Sequence, residues 1–204
     1  MFERMGNRHG SSPVGKNHVY SQSVPASAYA AASEIRRQLP TVPTKKLHKL
    51  LYFGQGLHLA WFSQPLFSDS ISAWDMGPVV GKLWKSEKDG QLPLAADELD
   101  EARRNTIAYV ISRYGGLTGR DLEILTHAQD PWQRADRGRE ARTSRRIEEA
   151  WLREWFRREL DADDDPTLSI DAQRRGDLLE AATARRRAEI ANDDLDELRA
   201  RLRS

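Results

Sequence analysis

Cysteine is absent from this chain of 204 residues. That excludes a disulfide scaffold, a thiolate zinc site and a cysteine nucleophile, and it fits a reducing compartment. No charge-free apolar run approaches the roughly eighteen residues that cross a bilayer. The first residues, MFERMGNRHGSSPVGKNH, lack the apolar stretch of a secretory signal. A cytoplasmic protein that does not enter a membrane is the expectation. Excess charge of one sign is missing too: 32 basic against 31 acidic residues leave a net +1. No global field therefore argues for nucleic acid or an anionic lipid surface.

The usual signatures of catalysis are equally scarce. No G-x-S-x-G elbow and no H-E-x-x-H occurs. Gly54 and Gly56 lie within a helical pattern, with neither the preceding strand nor the third glycine of a dinucleotide loop, so they are expected to admit a closely packed helix. His48 and His58 sit ten positions apart on that same helix, about 15 Å of rise, too far to share one ion. Neither a catalytic residue, a metal site nor a cofactor is expected, and the chain is read as a non-enzyme.

What is present is organised in three zones. Residues 1–22 are rich in Gly, Ser, Asn and His with few apolar side chains, the composition of a flexible arm. Residues 23–160 alternate apolar-periodic runs with punctuation. The 39% hydrophobic content suffices for one core. Ala28, Tyr29, Ala32, Ile35 and Leu39 form one helical face stopped by Pro40. Leu47, Leu50, Leu51, Gly54, Leu57, His58 and Trp61 form another, ending before Pro65. ISAWDMGPVV (Ile71 to Val80) is a short apolar–polar alternation closed by Gly77-Pro78, with Pro78 suited to open a third helix. Ile107, Val110, Ile111 and Tyr114 line a helix that Gly115-Gly116 ends. Thr118 is an N-cap with Asp121 in the first turn. Ile147, Trp151 and Trp155 mark the last core helix. The fold class is therefore mainly α, a compact domain of about six helices with a small β element. Residues 161–204 form a charged, partly helical C-terminal extension. It opens on DADDDP and carries narrow stripes such as Leu178, Leu179 and Ala182. Such stripes suit either a solvated extension or a helix that docks on a partner.

Three pieces in order, KKLHKLLYFGQGLHLAWF, AWDMGPVV and LEILTHAQDPW (Leu122 to Trp132), resemble the Panacea domain, the SocA-like antitoxin family of bacteria and their phages. The segment from Thr143 to Arg158 is similar to that family's closing helix. The resemblance implies a helical, non-enzymatic antitoxin that binds a cognate protein toxin and suppresses it. In the SocA branch, delivery of the toxin to a Clp-type protease is the implied alternative route.

Several residues are candidate partner contacts. Trp74 and Asp75 sit at the turn before Gly77 and Pro78, where a glycine–proline pair fixes the backbone and presents its neighbours. Trp74 suits either a partner contact or a core plug beneath the loop. Gly77 is expected to need an unusual φ or a close backbone approach. Arg134 and Arg137 belong to an arginine-rich segment, residues 134–146, suited to either a solvated loop or a surface for acidic groups. Nucleic-acid binding through that segment is the alternative function. No aromatic interleaving and no helix-turn-helix, zinc-finger or RNA-recognition signature accompanies it, which favours a protein partner.

Overall fold

The computed structural model describes residues 26–91, 98–163 and 176–185. The chain is mostly helical with a small three-stranded sheet, and its C-terminal region is partly helical. The arm expected at residues 1–22 lies outside the described residues.

Helix α1 (Ala28–Gln38) starts at Ser27, whose side chain accepts the Ala30 N–H, and ends ahead of Pro40. Helix α2 (Thr44–Phe62) follows and closes at Ser63, whose φ of 56° lies in the left-handed region. Strands β1 (Ser72–Trp74) and β2 (Gly77–Val79) pair antiparallel with Trp74 opposite Gly77. They lead into α3 (Gly81–Lys88). Helix α4 (Glu101–Tyr114) is capped by Asp100, and α5 (Gly119–Ala128) by Thr118. The Thr118 cap is reciprocal, since its oxygen accepts from Asp121 N–H while the Asp121 carboxylate accepts from Thr118 N–H. A turn at Gln129 separates α5 from α6 (Asp130–Asp136), with Pro131 in its first turn. Strand β3 (Arg145–Arg146) pairs with β1, giving the order β2-β1-β3. Helix α7 (Glu149–Asp163) completes the domain.

Helix α2 is the axis of the fold. The sequence pattern predicts one apolar face, but every residue from Leu47 to Ala60 is buried. Helices α1, α4, α5 and α7 and strand β2 all pack around it. The two small residues make this possible: the Phe156 ring of α7 sits directly over Gly56, and a Leu66 methyl approaches Gly54. Polar groups within the axis are bonded. Gln55 clamps the chain at Phe67, donating to its carbonyl and accepting its N–H at 3.1 Å each. The Thr106 hydroxyl donates to Ala102 O, so its oxygen accepts the His58 Nδ1–H at 2.8 Å.

Two local expectations differ from the structure. Pro78 does not open a helix; it lies in β2, and α3 begins three residues later. Strand β2 is an edge of the sheet, where a missing N–H costs no ladder bond. Trp61, on the predicted apolar face, is 39% exposed, because α2 emerges from its sheath at that end. It meets Tyr109 edge-to-face with centroids 5.0 Å apart.

Helix α7 runs to Asp163, beyond the expected domain limit at residue 160. The helical stretch 176–185 packs Leu178, Leu179 and Ala182 against the core as partly buried side chains. Arg185 reaches the Asp121 carboxylate at 2.7 Å.

Candidate functional site

A cleft of about 530 Å³ opens between the first turns of α2, the β1–β2 hairpin, α3 and the loop before β3. Thr44, Lys45, His48 and Lys49 line it from α2; Trp74, Asp75, Met76 and Val79 from the hairpin; Trp84 from α3. Residues 142–144 close one side. The Trp74 and Trp84 rings meet edge-to-face at 5.1 Å and 69°, giving the cleft a rigid apolar wall.

The hairpin owes its shape to Gly77. Its φ of +96° is a conformation that side chains resist. A Cβ there would also lie 2.7 Å from the Lys49 Cε and 3.2 Å from the Thr126 hydroxyl oxygen. Both reasons expected for this glycine, the unusual φ and the close approach, therefore hold. The same contact joins all three motif pieces, through Lys49 of α2, Gly77 of β2 and Thr126 of α5.

Lys49 is 1% exposed, and its ammonium donates to Pro78 O at 3.0 Å. Burial is the main cause that pushes its pKa down to about 7, opposed by the nearby Glu123 charge. Glu123 is itself held by Lys45 at 2.7 Å and Arg120 at 2.9 Å. Burial pushes the Glu123 carboxyl up, but its bond to Lys45 and the surrounding cations keep it below the usual range. The His48 Nδ1 accepts the Val80 N–H at 3.3 Å, which places the proton of the neutral ring on Nε2. Burial, reinforced by the Lys49 charge, lowers the His48 pKa to about 4.

Asp75 faces the 136–144 loop rather than the cleft floor. Its carboxylate binds the Arg139 guanidinium at 2.7 Å and accepts the Arg142 N–H at 3.0 Å. Those bonds hold its pKa below the normal carboxylate value. Arg139 also binds Asp136 at 2.8 Å and donates to Thr143 O at 2.8 Å. It is a structural tie between hairpin and loop.

The structure brings Trp74, Asp75, Gly77 and Pro78 together at the hairpin and leaves Arg134 and Arg137 elsewhere. Arg134 pairs with Asp130 at 2.7 Å and reaches Glu154 at 3.7 Å. Arg137 is exposed, and its carbonyl accepts from Arg145. Within the arginine-rich segment Arg139 alone is turned inward, while Arg137, Arg142, Arg145 and Arg146 are exposed. Gly77 and Pro78 are buried and shape the hairpin, while Met76 at its tip is 59% exposed. Sequence reasoning overlooked Lys49, Met76, Val79 and Trp84 as a set. The one legible signal was a lysine set between His48 and Leu50, inside an apolar run.

Among the described residues no group of three or more His, Cys, Asp or Glu could hold a metal ion, and no helix is long and apolar enough to cross a membrane. The site has the features of a binding cleft. Residues 47–133 match the family model described as Antitoxin SocA-like, Panacea domain. This segment runs from the first buried turn of α2 through the hairpin to α6, so it holds the meeting point of Lys49, Gly77 and Thr126. Helices α1 and α7 fall outside it. The match covers less than half of the chain and makes that segment similar to an antitoxin family. No curated protein and no solved structure matches the chain.

Proposed function

We propose that this protein is an antitoxin that neutralises a cognate protein toxin by direct binding, with the β1–β2 hairpin as part of the contact surface. The match of residues 47–133 to the SocA-like antitoxin family carries the reading. The hairpin adds physical support. Asp75 and Met76 project at its exposed tip, Trp74 stands behind them at the cleft, and the Arg139 bridge fixes the turn. A prefixed apolar projection loses little entropy on docking, which suits it as an anchor. Recognition of nucleic acid through residues 134–146 finds less support: Arg134 and Arg139 are paired with Asp130 and Asp136, and the exposed Arg137, Arg142, Arg145 and Arg146 have no aromatic residue among them. Delivery of a bound toxin to a Clp-type protease would use the same first contact.

The test is co-expression with the product of the adjacent gene. The protein alone leaves growth unaffected, and together with the toxin it restores growth. Met76→Asp should weaken binding by roughly tenfold or more while leaving the melting temperature nearly unchanged. Absence of rescue at matched expression overturns direct neutralisation for that pair. Full rescue and full affinity with Met76→Asp removes the hairpin tip from the contact surface.

A further inference from the structure

The walls of the hairpin cleft carry a surplus of donors. The buried Lys49 ammonium has three N–H groups and makes one bond, to Pro78 O. Glu123 is the acidic group that acts on it, and that carboxylate is bound to Lys45 and Arg120. His48 keeps its proton on Nε2, a buried nitrogen with no partner among the described residues. The Trp74 indole Nε1 is likewise buried and unpartnered. Buried N–H donors on three residues lining one cleft, without acceptors to complete them, are costly unless a ligand supplies the acceptors. Of the cations lining the cleft, Lys45 is paired with Glu123 and Arg142 is exposed at the rim, so the buried Lys49 ammonium is the one that a carboxylate head group would meet inside. The rest of the wall is Trp74, Trp84 and Val79, which suits a flat or branched hydrocarbon body, and the volume is that of a small-molecule site.

We propose that this cleft binds a small monocarboxylic acid with an aromatic or branched apolar body, its carboxylate on Lys49 and its body against Trp74, Trp84 and Val79. A carboxylate accepts through two oxygens and so can complete the spare donors of Lys49 together with one of the two ring nitrogens. Burial disfavours the charged form of Lys49, and a carboxylate bound beside it would restore that form. The proposal concerns the isolated protein and does not depend on the antitoxin reading.

The full chain is titrated with 3-phenylpropionate, indole-3-acetate and 4-methylpentanoate, each against its neutral amide, while the indole N–H resonances are followed by NMR. At least one acid should shift the Trp74 signal saturably and bind at least tenfold more tightly than its amide. Lys49→Met should abolish the preference for acid over amide. Lys49→Gln, which retains an N–H for Pro78 O, should do the same and covers the case in which the methionine variant fails to fold. Saturable shifts that appear only with a synthetic peptide carrying a glutamate beside an aromatic residue would overturn the small-acid assignment. So would equal affinity for acids and amides, no saturable shift by any of the three acids up to about 10 mM, or an acid preference that survives in Lys49→Gln.

Discussion

Replacing Gly56 by alanine adds one methyl at the most crowded point of the domain. Its Cβ would lie 2.1 Å from two carbons of the Phe156 ring, against an ordinary contact of about 3.5–4.0 Å. The ring must therefore retreat by about 1.5 Å. It has nowhere to go: Phe156 is buried and packs edge-to-face on Tyr52 at 5.8 Å and on Phe53 at 6.1 Å. Helix α7 would have to lift from α2, which places the overpacking cost near the upper end of about 1–3 kcal/mol. Alanine recovers about 1 kcal/mol of helix propensity. The expected net loss is about 2 kcal/mol, a fall of roughly 4–8 °C in Tm for a chain of this size. Gly54→Ala is the control. There the new methyl meets the tip of the Leu66 side chain at 2.9 Å, which a small rotation relieves, so propensity and crowding nearly cancel. Urea unfolding followed by tryptophan fluorescence and circular dichroism measures both. Adding Phe156→Leu to Gly56→Ala should cost less than the sum of the two single changes, since the leucine vacates the space the methyl needs. Equal stability of Gly54→Ala and Gly56→Ala, or a Gly56→Ala protein as stable as the parent, would refute the account of α2–α7 packing.

Two further outcomes are expected. His48 and His58 are each depressed to about 4 from an ordinary 6.5 by burial, so the unfolded chain binds more protons between those values. The histidine contribution to stability should be fully present above pH 6.5 and be lost as pH drops toward 4. Lys49, depressed to about 7 from 10.5, gives a second rise between pH 7 and 10 that Lys49→Met removes. Denaturant titrations at pH 4.5, 7 and 10 check both windows, and a flat profile across them would contradict the burial of these groups. At the α5 start, Arg185→Ala should change stability by at most about 1 kcal/mol, because that arginine is half exposed. Asp121→Ala removes half of a reciprocal cap and should cost about 1–2 kcal/mol; thermal melts showing the reverse order would mean that the 176–185 stretch holds the helix start in place.

Local rules made much of this legible. The Thr118 cap with Asp121, the stops at Pro40 and Pro65 and the positional demand on Gly77 follow from backbone chemistry that acts within a few residues. Pro78 was misread because its fit to an edge strand depends on β1 lying on one side only, a tertiary fact. The separation of α6 from α5 turns on a single bend at Gln129, too short for any periodicity to reveal. The cleft was half visible. Trp74 and Asp75 stand out beside Gly77-Pro78, but Lys49 belongs to the site only because α2 is enclosed on all sides, and a repeating apolar pattern marks one face of a helix. Trp84 enters through the path of α3 after the hairpin, which no spacing encodes.

An enclosed axial helix divides the molecule by tolerance to change. Inserting or deleting a single residue between Leu47 and Ala60 would turn the remainder of α2 by about 100° and mismatch four helices and a strand at once. The hairpin tip at Asp75-Met76 and the loop from Arg137 to Ser144 stand outside that sheath and are tied to each other by the Asp75–Arg139 bridge. New side chains there leave the axis undisturbed. A fold built this way can acquire a different partner by altering a handful of rim positions, with its interior acting as a fixed mount.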